Sequence, residues 1–255
     1  LPIPREEQIT SIISVESFDN ERYLLMLTKA GFIKRTPLSA FSKIRSNGLI
    51  AINLEEGDAL TWVRLSTEGD SVLIGSREGM TIHFRLDINE LRPLGRTARG
   101  VKSMNLKDGD KLVSMDVLTS DLVDQLAKID KENDENLESN SSNGPWVLVA
   151  SAFGLGKRVP VTQFRLQKRA GMGLRAIKFR IKDDSLVGLK VLGEGEELIF
   201  VTERGVIVRT NGDKISQQSR AATGVKLQRL DEGDHLSEVV LVPHEQIDDS
   251  DQLIS

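Results

Sequence analysis

The sequence predicts an all-β, propeller-like protein of about four repeated units, each of four strands, and three observations predict it. Four segments align on a glycine: LTKAGFIKRT (27–36), GSREGMTIHF (75–84), ASAFGLGKRV (150–159) and VTERGVIVRT (201–210). Each glycine joins two short β-rich apolar runs, as in an antiparallel hairpin. After every hairpin come a basic loop ending in glycine, a further strand and an acidic turn.

The hairpins are expected over Tyr23–Leu27 with Phe32–Thr36, Val72–Gly75 with Met80–Phe84, Trp146–Ala150 with Leu155–Val159, and Leu198–Val201 with Val206–Thr210. The basic loops are KIRSNG (43–48), RTARG (96–100), KRAGMG (168–173) and RAATG (220–224). The strands after them read LIAINL (49–54), VKSMNL (101–106), LRAIKF (174–179) and VKLQRL (225–230). Turns such as Asp108-Gly109-Asp110 and Glu232-Gly233-Asp234 follow, then a fourth strand such as LVSMDV (112–117). Four strands in about fifty residues is the composition of a propeller blade. The chain therefore divides as one domain with repeats at about 9–58, 59–110, 111–184 and 185–243, an acidic insert at 119–145 and an acidic tail at 244–255. Within the insert, 120–130 has helical apolar spacing with Ser120 as a cap, and 131–144 is too polar to pack.

Charge is segregated. The insert is net −5 and the tail net −4, against −4 for the whole chain, which leaves the body at about +5. No apolar run approaches the ~18 residues of a membrane-spanning helix. The absence of cysteine removes disulfides and thiolate chemistry and suits a reducing interior, the cytoplasm or an organelle. The chain opens at Leu1-Pro2-Ile3 without an initiator Met or a secretion signal and reads as a piece of a longer protein.

No catalytic set emerges. His83, His235 and His244 lack metal-ligand spacing, and His83, alone on a strand, reads as a packing or surface residue. There is no Gly-x-Ser-x-Gly elbow. Gly154-Leu-Gly156-Lys157 departs from a phosphate loop because Arg158 follows the lysine where Ser or Thr is needed. The insert lacks the glycine and closing glutamate of a calcium loop. No cofactor or metal is expected to bind this chain.

Basic residues recur instead. The second hairpin strands carry Lys34 and Arg35, Arg85, Lys157 and Arg158, and Arg209; period-two alternation sets neighbours on opposite faces, so some of this charge is expected to face outward. The loops add Lys43, Arg45, Arg96, Arg99, Lys168, Arg169 and Arg220, and the strands beyond them add Lys102, Arg175, Lys178 and Lys226. Stacked radially, these clusters would form a basic rim able to neutralise the phosphates of a bent duplex without reading bases. The plainer alternative is a set of solvated surface cations. Low aromatic content argues against a platform that stacks single-stranded bases.

Gly31-Phe-Ile-Lys-Arg-Thr-Pro-Leu38, Gly154-Leu-Gly-Lys-Arg-Val-Pro-Val161, Arg220-Ala-Ala-Thr-Gly-Val225 and the Gly-Asp turns resemble the repeats of the C-terminal domain family of bacterial DNA gyrase A subunits, over most of the chain outside the insert and tail. The resemblance implies a β-pinwheel, in which neighbouring blades exchange strands and double-stranded DNA wraps the perimeter. It further implies a non-catalytic part of a type II topoisomerase that introduces negative supercoils. The partners it implies, in an A2B2 assembly, are the B subunits with the rest of the A subunit. ATP and Mg2+ are implied for that assembly only. The family's Gln-Arg-Arg-Gly-Gly-Lys-Gly box is matched by Gln167, Lys168, Arg169, Gly171 and Gly173, with Ala170 and Met172 in place of a glycine and a basic residue. The resemblance puts the full box upstream of residue 1. The topoisomerase IV counterpart and a protein-binding scaffold remain alternatives at this point.

Overall fold

The computed structural model describes residues 9–43, 48–125 and 144–242. The first unit pairs β1 (Arg22–Thr28) with β2 (Phe32–Pro37) as a hairpin and adds β3 (Leu60–Thr67) against β1. The second repeats the plan with β4 (Ser71–Ser76), β5 (Met80–Arg85) and β7 (Leu112–Leu118), after the two-residue strand β6 (Val101–Lys102). The third has β8 (Trp146–Ser151), β9 (Leu155–Pro160), β10 (Leu174–Arg175) and β11 (Leu186–Leu192). The fourth has β12 (Glu197–Thr202), β13 (Ile207–Asn211), β14 (Val225–Lys226) and β15 (Leu236–Val242).

The short strands do not join the sheets of their own units. Sheet orders are β3-β1-β2-β6, β10-β5-β4-β7, β11-β8-β9-β14 and β13-β12-β15, so β6, β10 and β14 each complete the hairpin of the unit before. Six-residue strands were expected after the basic loops; only two residues of each pair, and 49–54 has no strand. Of the remaining residues of these segments, Met104, Ala176, Ile177 and Gln228 are buried while Asn105, Lys178 and Arg229 are exposed. The first three sheets also take a strand from just beyond the expected unit divisions, as β3 at 60–67, β7 at 112–118 and β11 at 186–192 join the hairpins before them, whereas β15 lies within the expected fourth unit.

Alternation along the hairpin strands explains why their apolar runs are continuous. Leu25 and Leu27 pack with Val72 and Ile74, one residue off-register Leu73 packs with Val147 and Val149, and Trp146, Leu148 and Ala150 pack with Leu198 and Phe200. Each inner sheet is thus covered on both faces by its neighbours. On the far face of the first sheet Met26 packs with Phe41 and Ile52 instead.

The inner strands β3, β7, β11 and β15 line one polar cavity through Thr61, Ser114, Gly188 and Glu238. Thr10 and Ser11 line it too, which places the extended N-terminal segment beside them. The opposite sheet edges, β6, β10 and β14, face outward. Residues 120–125 are helical, in agreement with the expected helix as far as it is described. Residues 126–143, including most of the polar stretch expected at 131–144, and the tail 244–255 lie outside the described residues.

Candidate nucleic-acid interface

Each exchanged strand is set by the glycine before it. Gly100 and Gly224 have φ of +102° and +96°, and a Cβ on them would lie 2.7 Å from the Ile33 carbonyl oxygen and 2.6 Å from that of Gly156. Gly173, with φ of +78°, abuts Thr81 in the same way. Only glycine permits both the left-handed turn and this approach of one backbone to another. The strand then pairs for two residues: Val101–Lys102 on β2, Leu174–Arg175 on β5, Val225–Lys226 on β9. Its second residue, Lys102, Arg175 or Lys226, is exposed at the outer sheet edge, and Lys178 is exposed three residues on.

Loop arginines link these edges. Arg169 donates from Nη1 to the Lys102 carbonyl (2.6 Å), and Arg220 donates from Nη1 to the Arg175 carbonyl. Each arginine therefore lies along the exchanged strand of the preceding unit, which gathers Lys102 with Lys168 and Arg169, and Arg175 with Lys178 and Arg220. Arg96 is half-buried in its loop. Arg99 sits 3.6 Å over the Phe32 ring and pairs with Glu55, which offsets its charge. Arg85 and Lys168 line a shallow depression that also holds Asp87 and Glu90. Lys43 is exposed, whereas Arg45 lies outside the described residues.

Three of the expected rim cations are interior. Lys34 and Lys157 are fully buried, and so is Arg35. Lys34 Nζ donates to the carbonyl oxygens of Gly95 (2.9 Å), Arg96 (2.5 Å) and Ala98 (3.0 Å). Lys157 Nζ donates to those of Ser219 (2.8 Å), Arg220 (2.6 Å) and Ala222 (2.5 Å). Burial lowers both ammonium groups to about 8, helped at Lys157 by the charge of Arg220. With its three donors taken, Lys157 offers nothing to a nucleotide phosphate either.

Arg35 donates from Nε to Leu91 O (2.5 Å) and from Nη1 to Leu86 O (2.9 Å) and Glu68 (2.7 Å), with its guanidinium over Tyr23. Arg158, its counterpart four residues after the hairpin glycine, donates to Ile215 O (2.9 Å) and pairs with Asp213; its side chain is only 13% exposed. His83 occupies the same position and donates from Nδ1 to Phe164 O (2.6 Å), leaving Nε2 to accept from Ser71 (2.8 Å). All three tie a hairpin to the loop of the next unit. Alternation assigned one neighbour in each Lys-Arg pair to solvent, but a sheet covered on both faces has no solvent face there. Arg209 does stay exposed (65%), paired with Glu197, because no strand covers the outer edge of β13 among the described residues.

The loop matching the box shows what its departures do. Gln167 donates its backbone N–H to His83 O (2.7 Å), and Ala170 donates its own to Ser103 O (2.8 Å). Ala170 has φ of +61°, a left-handed conformation that glycine adopts without cost. Gly171 passes over Ile82, and Met172 is 53% exposed where the box has a basic residue. Arg229, exposed three residues after Lys226 as Lys178 is after Arg175, is a further candidate that the equal spacing of the repeats could have revealed.

A family model described as the DNA gyrase C-terminal domain, beta-propeller, matches residues 22–67, 70–119, 145–192 and 196–243. The DNA gyrase A subunit of Synechocystis sp. is 54% identical over 252 residues, which cover 95% of this chain and 29% of that relative. Among solved structures, the C-terminal domain of DNA topoisomerase IV superposes with a TM-score of 0.78 at 25% identity, over 94% of this chain and 68% of that one. A DNA gyrase A C-terminal domain superposes with a TM-score of 0.73 at 26% identity, over 94% and 72%.

Proposed function

The chain belongs to the DNA gyrase C-terminal domain family, and on that premise we propose that it binds and bends double-stranded DNA along its outer sheet edges, independent of base sequence. The observation that carries this reading is the recurrence of an exposed cation at the second position of every paired exchanged strand, Lys102, Arg175 and Lys226, each beside loop cations of the next unit where such a loop is described. Spaced along one perimeter, they neutralise successive phosphates of a duplex that curves to follow them. A wrapped duplex is presented to a strand-passage enzyme with a fixed crossing sense, which is how a domain without chemistry of its own biases supercoiling.

This chain covers under a third of the Synechocystis relative, so the activity of the whole protein belongs to the same proposal. It is the wrapping part of the A subunit of a type II topoisomerase, which works in an A2B2 assembly with ATP-hydrolysing B subunits. ATP and Mg2+ act at those other parts, in a bacterial cytoplasm or an organelle interior. The identity to a gyrase A subunit favours this reading over topoisomerase IV.

The test is salt-dependent binding of a linear duplex, together with the linking number of plasmid ligated on the protein. Replacing Lys102, Arg175 and Lys226 by Glu is expected to abolish the linking-number shift and to flatten the salt dependence by about one unit of slope per lost phosphate contact. A wild-type protein that neither binds steeply with salt nor changes topology at saturation is a protein scaffold, and the proposal fails.

A further inference from the structure

We infer that Lys34 and Lys157 are positioning residues for DNA: from inside the protein, each holds the basic loop of the next unit in the shape that presents its cations to the duplex. This rests on the reading of the outer edge as a DNA surface.

Two loops far apart in sequence turn the same three carbonyls inward, those five, four and two residues before the joint glycines Gly100 and Gly224. Three carbonyl dipoles aimed at one buried point repel one another and have no water to bond. An ammonium group, with three donors and no acceptor, matches that point and satisfies all three. Without it the loop must turn at least one carbonyl outward, and the arginine between them moves with the backbone. In the loop held by Lys157 that arginine is Arg220, whose Nη1 bond to Arg175 O builds one of the cation clusters. In the loop held by Lys34 the corresponding residue is Arg96, with Arg99 three residues on.

The second unit supplies an internal comparison. Ile82 stands at the lysine position, and the loop above it keeps two backbone anchors that the loop held by Lys157 also has: the Arg169 N–H donates to Glu90 as that of Arg220 does to Gln163, and the Asn105 N–H donates to Gly171 O (2.8 Å) as that of Lys178 does to Ala222 O (3.3 Å). What it adds is a bond from Arg169 Nε to Glu90 O (3.2 Å). Where the buried lysine is absent, the loop spends its own arginine on anchoring. In the loop held by Lys157 the Arg220 side chain bonds Arg175 O from Nη1, and its remaining donors are left for phosphate. The charge that the sequence places in the Gly-x-x-Lys-Arg stretch thus serves DNA at one remove.

The experiment uses the intact protein that carries this chain and a linear duplex of random sequence, with binding measured against salt for Lys157→Met, Arg220→Ala and the double variant. Arg220→Ala is expected to weaken binding about tenfold and to lower the salt slope by about one. Lys157→Met is expected to do the same although it removes no surface charge, and the double variant to be no worse than the weaker single one. Additive losses overturn the inference, because Lys157 would then act separately from Arg220. Loss in Arg220→Ala without loss in Lys157→Met overturns it as well. An Arg220→Ala protein that binds with unchanged affinity and slope removes the DNA reading of this loop instead.

Hydrogen exchange separates positioning from general weakening: in Lys157→Met the amides of Ala222 and Gly224 should exchange faster while those of β1 and β4 keep wild-type rates. Should that variant not fold, the wild-type lysine Nζ resonances decide, since Lys34 and Lys157 must show slow proton exchange. Rapid exchange at both, as for surface lysines, refutes the lock.

Discussion

Replacing Gly224 with Ala tests the strand exchange that builds this protein, and Gly109→Ala supplies the control. Both glycines are left-handed, at φ of +96° and +81°. Putting alanine there costs about 1–2 kcal/mol, partly offset by about 0.4–1 kcal/mol from the stiffer unfolded chain. At Gly109 nothing lies within 4 Å of the new Cβ, so the net loss should stay near 1 kcal/mol. At Gly224 the Cβ falls 2.6 Å from Gly156 O and 2.7 Å from Gly156 C, both backbone atoms of a buried strand. Relief requires β14 to lift off β9, which breaks the Val225–Gly156 and Lys226–Leu155 pairing and adds the ~1–3 kcal/mol typical of overpacking. Urea denaturation followed by tryptophan fluorescence suits the measurement, because Trp146 lies on β8 beside β9 and bonds Gln217 near the displaced loop. The expected losses are about 1 kcal/mol for Gly109→Ala and about 2–4 kcal/mol for Gly224→Ala. Equal losses in the two variants would mean that the exchanged strand bears no weight in the fold.

Ala170→Gly should raise stability by about 0.5–1 kcal/mol by removing a left-handed alanine, read as a higher calorimetric Tm; adding Met172→Lys should steepen the salt dependence of DNA binding by about one. His83 supplies a pH test. Burial pushes its imidazole below the ordinary 6.5, Arg85 adds to this, and the bond to Phe164 O opposes it. The unfolded chain therefore takes up a proton near pH 6.5 before the native state does, so the contribution of His83 is complete above that pH and is lost as pH falls below it. Burial raises the Asp116 carboxyl, against the pull of Lys190 and Arg64, and this group acts in the opposite sense. The readout is accordingly the difference between wild type and His83→Gln in urea midpoint from about pH 8 to about pH 5, which should shrink steadily toward acid.

Much of the architecture is local and was legible in the residues. The hairpin glycines, the β-rich runs beside them and the acidic turns each act within a few residues, and repetition in register amplified weak signals into a four-unit plan. The loop glycines were visible as well, but their reason was not: Gly100, Gly173 and Gly224 are required by the carbonyls of a strand some seventy to ninety residues earlier. Strand exchange likewise left no mark in the pattern, because Val101-Lys102 reads the same whether it pairs within its unit or with the one before.

The candidate interface divides on the same line. Lys102, Arg175 and Lys226 are exposed as expected, whereas Lys34, Arg35 and Lys157 are interior. By itself the sequence determined the hairpin strands, the turns and how many cations each unit carries. Tertiary structure alone decided which of those cations meet solvent. Burial is set by what the neighbouring unit places opposite a side chain, and for Lys34 and Lys157 that is three carbonyl oxygens contributed from about sixty residues away, strong enough together to hold a charge that would otherwise belong in water.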